Sequence, residues 1–241
     1  MNAVNKITRV KSIYLFIIIP VLLNLFLMGF YFSGIDTLQQ VVSVNNGFLT
    51  RESGLLEQLE NLYLLSIFAI VVYFFIKRTD ISEKLFFFSL SLLFLFLLLE
   101  EIDYGMNLYE FFTGNKMIEP VRNWHNELTD GGKQNVHYFK QLIDVANFLW
   151  FIVLPLLATR VKTPIIKCLI PNRFFIIGFI LTVIYSQIAH GLDDLGLSII
   201  SGVHGSLAGN ISEFREHNTY YLYLLYAFQI INTKLTLTLK S

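Results

Sequence analysis

The chain has 241 residues, of which 54% are hydrophobic and only 15% charged, and 18 basic side chains balance 18 acidic ones to a net charge of zero. Soluble domains carry roughly 25% charged residues, so this composition excludes compositional disorder and a polybasic nucleic-acid binder. With apolar residues gathered in long blocks, it points to an all-α, polytopic membrane bundle.

The blocks predict about six spans in a single integral membrane domain covering 1–241, because a bilayer needs about 20 mainly apolar residues per helix. The first, 13–32, follows the basic residues Lys6, Arg9 and Lys11 and contains Pro20 and Asn24. Its length, and the lack of a small-x-small cleavage site after it, predict an uncleaved span rather than a signal peptide. Spans over 60–76 and 84–101 follow, then 142–158, 174–190 and a final, more polar one over 217–233. Asn45-Asn46-Gly47 marks a turn in the first long loop. The Gly-rich stretch 192–211 reads as an interfacial or re-entrant segment. Cys168, the single cysteine, allows no internal disulfide.

Six spans place both termini on one side. That side then collects Lys6, Arg9, Lys11, Lys77, Arg78, Lys84, Arg160, Lys162, Lys167, Arg173, Lys234 and Lys240, against only Asp80 and Glu83. The positive-inside rule makes it cytoplasmic. All other acids and all five histidines fall outside, so the expected location is a cell membrane, a bacterial inner membrane, with any site on the extracytoplasmic side.

Polar clusters collect at that outer boundary. The third span ends Glu100-Glu101-Ile102-Asp103-Tyr104-Gly105. Carboxylates at a helix C-terminus oppose the helix dipole and cost desolvation beside lipid unless paired or cation-bound. A solvated helix end is the plainer reading. The fifth span ends with His190, Asp193 and Asp194, which share a face if the helix continues through Gly191, a spacing suited to zinc or another divalent ion. Glu213, Glu216 and His217 precede the last span at i, i+3 and i+4, although acids at a helix N-terminus need no function. In the second outer loop, a helix starting near Asn135 would put His137, Gln141 and Asp144 on one face, with Asp144 about a turn inside the fourth span. His125 and His204 read as surface or packing histidines.

The stretch Glu100-Glu101-Ile102-Asp103-Tyr104-Gly105, with Asn135-Val136-His137-Tyr138 further on, resembles a group of uncharacterised bacterial multi-pass membrane proteins with a Glu-Glu-Ile-x-(Trp/Tyr)-Gly motif. The resemblance covers about a sixth of the chain, lacks the Gln-Arg pair of that group, and implies Glu100, Glu101 and His137 as site residues. Glu100-Glu101 and His190-x-x-x-Asp194 also resemble part of the pattern of CAAX-type intramembrane proteases. Here Gly105 occupies the family's Arg position, and the Phe-x-x-x-His element is missing. Alkaline ceramidases and adiponectin-receptor-like hydrolases share the His and Asp ligand types, but not their arrangement.

The chemistry expected from these residues is a divalent metal, with zinc as the first candidate, held by Glu100, His137, His190, Asp194 and Glu213. Glu101 or Asp103 would be the general base for hydrolysis of a lipid or membrane-embedded substrate. Two other readings stand beside it. One is a cation or proton transport component, which requires polar groups continuing through the bilayer. The other is a non-catalytic subunit, sensor or immunity-type protein. No nucleic-acid partner is expected.

Overall fold

The computed structural model describes residues 11–42, 55–105, 109, 112–114, 141–161, 169–194 and 207–238. Among these residues the chain is all-α, with no strand. The helices are α1 (Lys11–Phe30), α2 (Asp36–Val42), α3 (Leu55–Lys77), α4 (Ile81–Glu101), α5 (Gln141–Leu157), α6 (Phe174–Asp194) and α7 (Leu207–Thr238). Of these, α1, α3 and α4 are long and apolar enough to cross a membrane, with window hydropathies of 2.5, 2.0 and 2.0. Helix α5 and the apolar part of α6, Phe174–Ile188, are shorter. Large apolar side chains including Leu22, Leu25, Leu62, Leu65, Ile76, Leu85 and Leu92 lie more than half exposed. A water-soluble surface rarely exposes so many large apolar side chains along its helices, whereas a lipid-facing one does.

Two starts differ from the sequence reading. Helix α3 is already helical at Leu55, ahead of the apolar run, and Leu56, Glu60, Leu64, Ile67 and Val71 form one continuous inward stripe at helical spacing. Helix α7 is already helical at Leu207, so the last residues of the Gly-rich stretch belong to it. Residues 195–206 of that stretch lie outside the described residues. Hydropathy alone misses both extensions because acids and amides interrupt their apolar residues, Glu57 and Gln58 in the first and Asn210, Glu213, Arg215 and Glu216 in the second.

Helix α7 ties the bundle together. It packs along α3 and α6, and its polar side chains reach the others. Tyr221 donates to the Leu15 carbonyl of α1 (2.9 Å) and Tyr223 to Oδ1 of Asn147 on α5 (2.7 Å). At the far end Tyr226 donates to the Leu169 carbonyl, and Gln229 bonds Ile170 and Asn172 ahead of α6. Asn24 of α1 and Asn218 of α7, both buried, exchange amide hydrogen bonds of 2.8 and 3.0 Å. Polar ties of this kind hold helices together where lipid removes the hydrophobic driving force. Replacing Tyr223 by Phe leaves Asn147 without its donor and should cost about 0.6 kcal/mol, the average for such bonds in a membrane protein. A double-mutant cycle with Asn147→Leu, read by unfolding in detergent, checks this through a matching coupling energy.

Two prolines are accommodated in the same way. Each follows a π-helical turn, Tyr14–Ile18 before Pro20 and Leu149–Val153 before Pro155. The Ile19 amide bonds the Tyr14 carbonyl and the Leu154 amide the Leu149 carbonyl, five residues back. A proline ring clashes with the carbonyl four residues before it and offers no N–H. Widening the turn relieves the clash and keeps the backbone satisfied, as a lipid environment requires. Each turn presents a fully or nearly buried ring, Phe16 and Phe151, to the same partner, Phe175 of α6, at centroid distances of 4.6 and 5.3 Å.

Helix α6 reaches this position because Gly178 lacks a side chain. A Cβ there would meet Leu222 Cδ2 at 2.6 Å and Phe16 Cδ1 at 3.3 Å. Gly178→Ala can be absorbed by rotation of the Leu222 methyls. Gly178→Val cannot, and should cost about 1–3 kcal/mol as an overpacked contact. Thermal unfolding of the two variants in one detergent checks the difference.

Candidate functional site

The inward stripe of α3 carries two acids. Glu57 is buried and Glu60 fully enclosed, one turn before Tyr63. Packing of Leu56 against Leu27, Val42 and Phe214 sets the rotation of the helix. That rotation turns Glu60 toward the other helices.

Helix α4 ends at Glu101. The Ile102 amide returns to the Leu98 carbonyl, and the chain then turns through Tyr104 (φ 54°) and Gly105 (φ 88°). A tyrosine in the left-handed region is strained. Here the turn lets its hydroxyl reach back and donate to Glu100 Oε1. That hydrogen bond, with smaller contributions from burial and the carboxylate's charge, pushes the Tyr104 phenol up to about 12. Glu100 is itself buried.

The neighbouring carboxylate points elsewhere. Glu101 accepts a 2.6 Å hydrogen bond from Tyr220 of α7. One turn earlier on α7 stands Glu216, on the same face as Tyr220. Oxygens of Glu60, Glu101 and Glu216 all lie within 4.8 Å of one another. The consecutive helices α3 and α4 and the sequence-distant α7 thus each bring one carboxylate to the same place. Two unit charges at that separation repel by about 3–4 kcal/mol at an effective dielectric constant of about 20. A cation between them reverses the sign of the interaction. All the donor atoms are oxygens, the preference of hard cations such as Mg²⁺, Mn²⁺ and Ca²⁺, whereas zinc sites favour nitrogen and sulfur.

Of the residues singled out from the sequence, Glu101 and Glu216 join this trio, while Glu100 is held by Tyr104 instead. His137 lies outside the described residues. The backbones of His190 and Asp194 fall in α6, which runs unbroken through Gly191 to Asp194, and that of Glu213 in α7. The side chains of these three, and of Asp103, are outside the described residues. Asp144 has a structural explanation, since its carboxylate pairs with Arg215 at 3.1 Å and joins α5 to α7.

Glu60 is the member that sequence reasoning missed. The expected span 60–76 opens on it, where an acid passes as an ordinary helix start, yet the spacing Leu56, Glu60, Leu64, Ile67 is a helical stripe, and an acid inside such a stripe is the available signal. His217, buried beside Glu216, packs in a tilted arrangement against Tyr63 with ring centroids 5.4 Å apart, and its Nδ1 makes no hydrogen bond among the described residues.

No protein-family model, curated protein or solved structure matches the chain.

Proposed function

We propose that this is a polytopic membrane protein that holds a divalent cation between Glu60, Glu101 and Glu216 at the outer membrane boundary. On this reading it uses the cation in hydrolysis of a lipid or membrane-embedded substrate. The observation that carries it is the convergence of three carboxylates from three helices within 4.8 Å, one of them fully buried. Repulsion and desolvation make that arrangement costly without a compensating positive charge. The oxygen-only donor set shifts the expected metal from zinc toward manganese, magnesium or calcium. Glu101 becomes a ligand oriented by Tyr220 rather than a general base. A cation bound there would polarise a substrate carbonyl or phosphoryl oxygen and lower the pKa of a bound water.

The transport reading draws less support. The hydroxyls of Tyr221, Tyr223 and Tyr226 each end on a fixed acceptor in another segment, which is what helix packing requires rather than what an ion path offers.

Hydrolysis is tested with purified protein in phospholipid vesicles, with lipid products followed by mass spectrometry. Product formation should require Mn²⁺ or Mg²⁺, stop with a chelator, and fall at least 100-fold in Glu101→Gln. Turnover that survives both the chelator and the substitution would contradict the proposal, as would an absence of product above protein-free vesicles.

A further inference from the structure

We draw no further inference here: the strongest candidate, the buried His217 ring packed against Tyr63 on the inward face of α7, adjoins Glu216 and belongs to the site already described.

Discussion

Glu60→Gln should raise the melting temperature of the protein in chelator and abolish the rise that divalent cations give the wild type. The two halves of this result have one cause. Without a cation, removing one of three carboxylates within 4.8 Å of one another relieves two repulsive pairs, each worth about 3–4 kcal/mol before screening. With a cation, the same substitution removes a ligand from a buried position, where Glu60 is fully enclosed. Binding stabilises the folded state by RT ln(1 + [L]/Kd), about 2.7 kcal/mol at one hundred times Kd. The variant should therefore lose that increment while gaining intrinsic stability. Thermal unfolding in detergent, with and without Mn²⁺, separates the two terms. A variant that melts lower than wild type in chelator would mean that Glu60 stabilises the fold through its contacts rather than straining it.

Phe175→Ala should produce the largest loss of stability among apolar substitutions, about 3 kcal/mol. The ring is fully buried and is shared by Phe16 at 4.6 Å, Phe151 at 5.3 Å and Tyr226 at 6.0 Å. Its removal leaves a cavity where the π turns of α1 and α5 meet α6. In lipid the transfer contribution is small, because the unfolded helix keeps its side chains in an apolar medium. What is lost is close packing, and aromatic pairs add about 0.5–1.5 kcal/mol each beyond area. Leu92→Ala on the outward face of α4, where the side chain is half exposed, should change stability by less than about 0.5 kcal/mol. Equal losses at Leu92 and Phe175 would contradict the placement of the core.

The all-α class was legible in the apolar blocks, because a membrane leaves helices as the simplest way to satisfy the backbone. The organising role of α7 was less legible. Its sequence, His217-Asn218-Thr219-Tyr220-Tyr221-Leu222-Tyr223, looks like the poorest span by hydropathy. Those same residues make it the helix the others bond to. Tyrosine and asparagine lower an apolar score while raising interhelical binding, and a window average cannot separate the two effects. Asn24 shows this most clearly, since its partner Asn218 lies 194 residues away and nothing local indicates the pair.

The site divides in the same way. Glu101 was visible because it ends an apolar block beside other acids. Glu100 meets Tyr104 only four residues on, a local contact, whereas the choice of Tyr220 by Glu101 follows from the tertiary placement of α7, 119 residues away, and has no sequence signature. Glu216 was visible as one of a spaced group, but its choice as the converging residue depends on the rotation of α7, which Phe214, Asn218 and Leu222 fix by burial on the inward side. Glu60 was hidden by its position before the apolar run.

The cation site is tested most directly by titrating the purified full chain in lipid nanodiscs with Mn²⁺ and following free Mn²⁺ by electron paramagnetic resonance. Wild type should take up one equivalent of Mn²⁺ per chain saturably, and the triple variant Glu60→Gln, Glu101→Gln, Glu216→Gln should show no such site while remaining folded by circular dichroism. Equal saturable uptake by the triple variant, or no saturable uptake by wild type, would contradict a cation held by these three carboxylates.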